Sequence, residues 1–325
     1  MYGEPDIIKT YFSCGQPLRK DIETGIGDDC AIVEAPRQRH LAITTDTLIE
    51  GTHFVKGAPP KWVAYRALAA SVSDLAAVGA TPMWCSLAIT LPRVDKSWIQ
   101  EFSQSFFDLA KKYNIQLIGG DTTKGPLSIT ITAQGSVAPG KAILRSGAQV
   151  GDWIYVTGFL GDSQAGLEVV LDDRKRSRPF ASHLEVRHYV STPRISTGQS
   201  LSLSGLASSA IDISDGLVTD LQHVLSASCV GARLNLEDLP ISGELLQYLY
   251  KNKKSAYRYA LTSGEEYELC FTVPDSNRVS LARILAQTGT KLSCIGQVQS
   301  PPQLSLYLDG DKTNWNLSGY DHFSN

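Results

Sequence analysis

Seven aspartates in this sequence stand beside small residues at the ends of apolar runs. They are Asp28, Asp29, Asp46, Asp74, Asp121, Asp212 and Asp215. Carboxylates that converge in one crevice repel one another unless cations bridge them, and Mg²⁺ prefers such hard oxygen ligands together with substrate phosphates. Each aspartate taken alone also fits a turn or a helix cap. As a set, flanked by glycines that let backbone approach a phosphate, they indicate a metal–phosphate site at strand ends.

Other phosphate-site motifs are absent from the sequence. It contains no G-x-x-x-x-G-K-[ST] and no protein-kinase set of Gly-rich loop, H-R-D and D-F-G. Gly158, Gly161 and Gly166 follow a predicted strand without the spacing of G-x-G-x-x-G. They fit a strand–helix turn, and a phosphate-facing loop remains the alternative. Cys14 is a weak candidate for a reactive thiol, and no G-x-S-x-G elbow is present.

Three further residues have two readings each. His53 follows Asp46 by seven residues and fits either a contact with an anionic substrate or an ordinary loop position. Arg145 fits either neutralisation of a transferred phosphoryl group or an interdomain salt bridge. Tyr320, in the segment G-Y-D-H-F at 319–323, fits either stacking on a planar ligand or anchoring of the chain's end.

The elements that position these residues are predicted from apolar periodicity. Strands are predicted at 41–45, 85–90, 115–118, 127–134, 152–157, 210–213, 269–273 and 294–298, and helices at 62–78, 98–113, 163–171, 217–227 and 278–288. The segment A-P-G-K at 138–141 is the best break in the first half. The charged stretch 172–178 is predicted to be a solvated surface loop because it lacks aromatic partners. The pattern predicts two α+β domains that meet near residue 140.

Composition narrows the class of protein. The 325 residues suggest about two domains. The apolar fraction of 42% and the charged fraction of 19% exclude general disorder, and a formal charge of -3 gives no electrostatic case for nucleic-acid binding. No apolar run is long enough to span a membrane, and the first residues lack the pattern of a secretory signal. The six cysteines form no C-x-x-C pair, so we expect reduced thiols in a cytoplasmic protein.

Seven motifs, in order along the chain, carry a resemblance to a known family. They are G-I-G-D-D-C-A, T-T-D-T-L-I-E-G-T-H-F, S-V-S-D-L-A-A-V-G-A, L-I-G-G-D-T-T, R-S-G-A, D-I-S-D-G-L and S-G-E-E-Y-E-L. Together they resemble the thiamine-monophosphate kinase family, within the superfamily of aminoimidazole ribonucleotide synthetase and selenophosphate synthetase. The resemblance implies a two-domain α+β architecture of the aminoimidazole ribonucleotide synthetase type. Residues 1–140 would be an ATP- and Mg²⁺-binding domain that dimerises through its sheet, and residues 141–325 an α+β domain that completes the active site.

The resemblance also implies an activity and a set of site residues. The activity is Mg²⁺-dependent phosphorylation of thiamine monophosphate by ATP, by direct in-line transfer, in thiamine diphosphate biosynthesis. The implied Mg²⁺ ligands are Asp29, Thr44, Thr45, Asp46, Asp74, Asp121, Asp212 and Asp215. The implied nucleotide contacts are Gly120, Asp121, Arg145 and Ser214, of which Asp121 and Arg145 are expected to be catalytic. The implied contacts to thiamine monophosphate are His53, Glu265 and Tyr320.

The expected partners are thiamine monophosphate, ATP and several Mg²⁺ ions, with a second copy of the chain in a homodimer and with neither nucleic acid nor membrane. A monovalent cation is left open as a further cofactor. The sequence departs from many relatives at Ser103, where they carry a tyrosine close to the nucleotide. Two alternatives remain: an ATP-dependent ligase or synthetase of the same superfamily, and a non-catalytic, Mg²⁺-dependent nucleotide-binding protein.

Overall fold

The computed structural model describes residues 4–13, 16–315, 317, 319 and 320. The chain forms two compact units, each of which mixes helices with a sheet. The first unit comprises Met1–Leu75 and Ala80–Gly140, and the second comprises Ala76–Gly79 and Lys141–Asn325.

The first unit is built around a four-stranded sheet and two long helices. Its elements are α1 Glu4–Ile7, which continues into a π-helical turn Ile8–Phe12, β1 Ile22–Thr24, β2 Ile32–Val33, β3 His40–Ile49, α2 Pro60–Ala77, β4 Thr81–Leu91, α3 Lys96–Lys112, β5 Gln116–Lys124 and β6 Ser128–Val137. The helices begin where the sequence favours it. Pro60 opens α2 in the first turn, where its missing N–H costs nothing. The Asp95 side chain accepts the Trp98 N–H at 3.2 Å and so caps α3.

The strands of this sheet run in the order β3-β6-β4-β5, with β4 and β5 parallel and the other pairs antiparallel. Helix α2 packs on one face, where Ser71 Oγ lies 3.4 Å from the Ile131 carbonyl oxygen. The opposite face carries exposed apolar side chains on β3, with Leu41 46% and Ile43 64% exposed. Dimerisation through this sheet stays a prediction, which sedimentation of the purified chain would check.

The second unit is built around a seven-stranded sheet. Its elements are β7 Trp153–Thr157, α4 Asp162–Leu171, a 3₁₀ turn Asp173–Ser177, α5 Ala181–Tyr189, α6 Ile195–Ser204, β8 Ser209–Asp212, α7 Leu217–Ser228, β9 Gly231–Asn235, a 3₁₀ turn Leu236–Asp238, α8 Gly243–Tyr248, α9 Lys253–Thr262, β10 Leu269–Val273, a 3₁₀ turn Asp275–Asn277, α10 Arg278–Leu285, a 3₁₀ turn Ala286–Thr288, β11 Leu292–Gln299, β12 Leu304–Leu308 and β13 Asp311–Lys312. The strand order is β13-β12-β9-β11-β7-β10-β8, in which only the β9 and β12 neighbours are parallel. Ile154, Ile211 and Leu234 are among the buried side chains of its core.

The predicted strands and helices are confirmed, most of them with ends that shift by a few residues. The strand predicted at 269–273 matches β10. The charged stretch 172–178 is also confirmed as surface, because Asp173, Arg174 and Arg176 are exposed. Arg174 pairs with Asp172 at 2.9 Å, and Arg176 pairs with Glu185 at 2.7 Å. These pairs leave the stretch little free positive charge for an anion. The sequence pattern did not predict the helices α1, α5, α6, α8 and α9 or the strands β1, β2, β9, β12 and β13.

The predicted placement of the aspartates at strand ends is wrong for two of them. Asp46 lies inside β3 and Asp121 inside β5, whereas Asp212 does end β8. Asp74 lies inside α2, in agreement with the helix predicted at 62–78. The reason at Asp121 is that β5 continues through the glycine pair before it, which the sequence pattern presents as a break. Gly120 has φ +150, and a Cβ there would lie 1.8 Å from the Leu87 carbonyl oxygen. A glycine is therefore needed for β5 to remain paired with β4 up to Asp121.

None of the helices in the described part of the chain is long and apolar enough to cross a membrane. The described cysteines Cys30, Cys85, Cys229, Cys270 and Cys294 are free thiols. Cys14, the weak candidate for a reactive thiol, lies outside the described residues.

Gly120→Ala should destabilise the first unit strongly, because the added methyl group meets the β4 backbone rather than a movable side chain. We expect a loss of roughly 3–5 kcal/mol in the free energy of unfolding, measured by urea denaturation. The matched control is Gly119→Ala, since a Cβ at Gly119 has no atom within 4 Å. It should cost about 0.5 kcal/mol. Equal losses in the two variants would contradict this account of Gly120.

Candidate active site

A cavity of about 280 Å³ in the first unit brings two of the predicted Mg²⁺ ligands together. Its lining consists of residues 26–31, residues 117–122 with Leu87 of the neighbouring strand, and Ile8 and Phe12 of the N-terminal helical segment. Asp29 and Asp121 both lie on this lining, together with Gly120. Asp29 and Asp121 are far apart in sequence. The cavity is lined both by carboxylate side chains and by apolar side chains. Such a cavity suits a ligand that has an anionic group, bound to the carboxylates through a cation, and a planar or apolar group.

A second acidic group of the first unit lies between β3 and α2. The Ser71 hydroxyl donates to Asp46 Oδ2 at 2.7 Å, and the Thr44 hydroxyl donates to Asp74 Oδ2. Thr44 and Asp46 share a face because side chains two positions apart on a strand point the same way. The fold thus gathers the oxygens of Thr44, Asp46 and Asp74 in one place.

Thr45 does not join that group. It is exposed on the opposite face of the sheet, where its hydroxyl lies 2.9 Å from the Thr132 hydroxyl. Strand alternation makes this separation unavoidable for two neighbouring residues. The predicted ligands Thr44 and Thr45 therefore lie on opposite faces of β3.

His53 is held in a defined orientation in the turn after β3. The Ile49 N–H donates to His53 Nδ1 at 3.0 Å. Because Nδ1 accepts a hydrogen bond, neutral His53 carries its proton on Nε2. The ring can therefore donate from Nε2 to an anion.

In the second unit, the loop that follows β8 joins several predicted site residues. The Glu265 N–H donates to the Ser214 carbonyl oxygen at 2.7 Å, and the Tyr320 N–H donates to the Asp215 carbonyl oxygen at 3.0 Å. The close approach of Tyr320 requires Gly319, since a Cβ there would lie 2.1 Å from the Asp215 oxygen. Ser214, Asp215, Glu265 and Tyr320 are thus brought together by backbone hydrogen bonds. Asp321, His322 and Phe323 lie outside the described residues.

Asp220, which is not among the predicted site residues, holds this loop. Its Oδ2 accepts the backbone N–H groups of Ser214, Asp215 and Gly216, each at 3.0 Å. Burial raises the pKa of Asp220 to about 7, and the nearby Asp215 carboxylate adds to the rise against the effect of the N–H donors. The available signal was an acidic residue in the first turn of the helix predicted at 217–227, which is a typical capping position.

The segment S-G-E-E-Y-E-L sends its acidic side chains in different directions. Tyr267 Oη donates to Glu265 Oε2 at 2.7 Å. Glu266, in contrast, is 2% exposed, and its Oε1 accepts the Gly161 N–H at 2.8 Å and the Ser163 N–H at 3.1 Å. Glu266 therefore occupies the start of α4 with its own carboxylate. This favours the strand–helix turn for the Gly158, Gly161 and Gly166 run over a phosphate-facing loop.

Arg145 is exposed and makes no ion pair with any residue that the structure describes, so a salt bridge is not seen there. Asp212 is 4% exposed at the end of β8. Ser103 is 6% exposed, and its hydroxyl donates to the Gln100 carbonyl oxygen at 3.2 Å within α3.

No group of three or more His, Cys, Asp or Glu side chains in residues 4–13, 16–315, 317, 319 and 320 is placed to hold a metal ion. In the first unit the predicted Mg²⁺ ligands fall into two groups. Asp46 and Asp74 hydrogen-bond to the hydroxyls of Ser71 and Thr44, whereas Asp29 and Asp121 line the cavity. The Mg²⁺ ligand set stays a prediction.

Comparison with known proteins assigns the class first. The chain matches the family model "AIR synthase related protein, N-terminal domain" over residues 27–137 and the corresponding C-terminal domain over residues 149–309. The chain therefore has the fold of an AIR synthase related protein. The chain is 48% identical to the thiamine-monophosphate kinase of Escherichia coli (strain K12), with 99% of this chain and 98% of the relative covered. It belongs to the thiamine-monophosphate kinase family.

Solved structures agree with this assignment. The thiamine-monophosphate kinase of Stenotrophomonas maltophilia K279a superimposes with a TM-score of 0.82 at 38% identity, over 91% of this chain and 93% of that one. AaThiL complexed with AMPPCP and TMP gives a TM-score of 0.78 at 33% identity, over 92% of each chain. The expected family and the expected two-domain α+β architecture are therefore confirmed.

The carboxylate of Glu266 should make stability depend on pH. Burial, with Asp162 nearby, raises its pKa to about 8 from an ordinary value of 4.5. A raised folded-state pKa means that this contribution is complete below pH 4.5 and is lost as the pH rises through 8. Wild-type protein should lose up to roughly 1.4 kcal/mol per pH unit across this window relative to Glu266→Gln.

Urea unfolding at several pH values between 4.5 and 8 measures this difference. Asp173→Asn is the control, because the Asp173 side chain is 90% exposed on the same unit. Its pH profile should follow that of the wild type. A Glu266→Gln profile parallel to the wild type would contradict a carboxylate that titrates with a raised pKa.

Proposed function

We propose that this chain transfers the γ-phosphoryl group of ATP to thiamine monophosphate and so forms thiamine diphosphate and ADP. The observation that carries the proposal is the 48% identity to a thiamine-monophosphate kinase across 99% of the chain. The relative AaThiL was solved with AMPPCP and TMP, which supports a nucleotide and thiamine monophosphate as the two substrates. The cavity bounded by Asp29, Gly120 and Asp121 supports a phosphate-binding role for the first unit.

The donor chemistry fits Mg²⁺. The candidate ligands in the first unit offer carboxylate and hydroxyl oxygens, which are the hard donors that Mg²⁺ prefers. We assign the ion-binding role to Asp29, Asp46, Asp74 and Asp121 with Thr44, and in the second unit to Asp212 and Asp215. The Thr45 hydroxyl, on the opposite face of the sheet, is left out of this assignment. When bound, Mg²⁺ would neutralise charge on the ATP phosphates. Asp46 and Asp74 would exchange the hydroxyl donors of Ser71 and Thr44 for an ion.

The transfer needs little proton chemistry from the protein. A phosphate oxygen of thiamine monophosphate bonds to the γ-phosphorus while the bond from that phosphorus to the β–γ bridging oxygen breaks, and ADP leaves with the electron pair. The attacking oxygen is largely ionised at neutral pH, so no strong general base is required. A direct in-line transfer is consistent with a site rich in aspartate, because phosphoryl transfer depends on positioning and on charge neutralisation.

The chain's other site residues have separable roles. His53 donates from Nε2 to an anionic phosphate, and Arg145 supplies positive charge to the transferred group. Ser214 contacts the nucleotide, and Tyr320 stacks on a planar ring of the acceptor. Its exposure of 51% leaves the ring accessible for this role.

The direct test is product formation from ATP with thiamine monophosphate or free thiamine as the acceptor. We expect thiamine diphosphate from thiamine monophosphate, a requirement for a divalent cation, and little product from free thiamine. Equal use of free thiamine would sink the substrate assignment. ATP turnover with selenide or with the substrate of a superfamily ligase, in place of thiamine monophosphate, would favour a ligase or synthetase. Nucleotide binding without turnover would favour a non-catalytic protein.

Asp121→Asn should lower kcat by at least about 100-fold, because the lost charge matters most as the transition state forms. The matched control is Asp108→Asn, at an exposed aspartate on α3 of the same unit. Steady-state kinetics with thermal melts measure both variants. A folded Asp121→Asn enzyme with near-normal kcat would show that Asp121 is structural.

A further inference from the structure

Two residues of the S-G-E-E-Y-E-L segment have a backbone conformation that their side chains disfavour. Glu265 has φ +60 and Tyr267 has φ +52. A positive φ is uncommon for residues other than glycine, and more so for a bulky residue such as tyrosine. Such conformations persist when the surrounding structure fixes them, and they concentrate at functional sites.

Hydrogen bonds to the loop after β8 fix both residues. The Glu265 N–H donates to the Ser214 carbonyl oxygen at 2.7 Å, and the Tyr267 N–H donates to the Ile213 carbonyl oxygen at 2.9 Å. The two bonds hold Glu265 beside Ser214 and Tyr267 beside Ile213. The conformation is therefore set by the fold and is not a feature of an exposed, mobile turn.

The same conformation brings the two side chains together. Tyr267 is 5% exposed, and its Oη donates to Glu265 Oε2 at 2.7 Å. Glu265 remains half-buried, whereas the next residue, Glu266, turns into the interior and binds the start of α4. The Glu266 carboxylate is thus buried, whereas the Glu265 carboxylate is accessible. The buried Tyr267 hydroxyl holds the Glu265 carboxylate in place.

An ionised carboxylate only accepts hydrogen bonds, and it repels phosphate. Glu265 is not among the residues assigned to Mg²⁺, so no cation is expected to bridge it to a phosphate. A substrate that carries both a phosphate and a cationic or N–H-bearing ring is therefore expected to meet Glu265 with the ring. Thiamine monophosphate has both parts, since its thiazolium is cationic and its aminopyrimidine carries N–H donors. The phosphate end of the acceptor has to be bound by other groups.

We propose that Tyr267 is a positioning residue that holds the Glu265 carboxylate toward the cationic ring portion of the acceptor, and that this pair selects the acceptor by its rings. The inference rests on the proposed function. It concerns Tyr267 acting through Glu265 and assigns Tyr267 no part in the chemical step. Its consequence is that loss of the hydroxyl affects binding of the acceptor and leaves use of ATP unchanged.

The test is Tyr267→Phe, which removes one oxygen and keeps the ring. We expect the KM for thiamine monophosphate to rise about tenfold, with kcat and the KM for ATP within twofold of wild type. Calorimetric titration of thiamine monophosphate without ATP should show the same loss of affinity. Glu265→Gln should weaken binding of thiamine monophosphate at least as much, because it removes the charge that faces the cationic ring.

The matched control is Tyr248→Phe. Tyr248 is also buried in the second unit, and its Oη lies 3.3 Å from Glu168 Oε2, away from the S-G-E-E-Y-E-L segment. Its kinetic constants should match those of the wild type. An unchanged KM in Tyr267→Phe overturns the inference, and so does a parallel change in both KM values together with a lower melting temperature. An inactive wild-type enzyme would instead contradict the proposed function.

Discussion

A carboxylate withdrawn from water needs hydrogen-bond donors around it, and this constraint organises the second unit. Glu268 is 1% exposed and is bound by both Nε and Nη2 of Arg194, at 2.6 Å and 2.5 Å. Glu266 accepts N–H groups at the start of α4, and Asp220 accepts those of the loop after β8. Leaving such groups unpaired would cost more than the bonds gain. Glu266 and Asp220 therefore fix the backbone around them, and Glu268 fixes the Arg194 side chain.

The loop after β8 is where this constraint meets the candidate site. Asp220 binds the backbone N–H groups of the loop. The carbonyl oxygens of the loop therefore remain available to accept hydrogen bonds from other segments. Those oxygens take the N–H groups of Glu265 and Tyr320. One loop therefore carries the residues assigned to nucleotide and metal, Ser214 and Asp215, and also locates two residues assigned to the acceptor. A change under the loop, at Asp220, would reach both sets at once.

The first unit solves a different problem, which is to bring acidic residues near one another on a sheet. Strand alternation places Thr44 and Asp46 against α2, where the Thr44 hydroxyl donates to Asp74 and the Ser71 hydroxyl donates to Asp46. Asp121 is placed by another device. The contact of Gly120 with the Leu87 backbone keeps β5 paired with β4, and the strand then carries Asp121 to the cavity that Asp29 also lines.

The sequence by itself determined the family, the α+β class and most of the main strands and helices, because motifs and apolar periodicity are local properties of the chain. It also singled out Asp29 and Asp121, which the structure places on the lining of one cavity. It missed α6, whose serine-rich sequence lacks a strong apolar pattern, and it ended the strand before Asp121 too early. Only the tertiary structure decided that Thr44 and Thr45 face apart, that Asp220 and Glu266 bind backbone N–H groups, and that Tyr267 meets Glu265. Those outcomes depend on donors and neighbours that packing brings together from distant parts of the chain, and no local pattern encodes them.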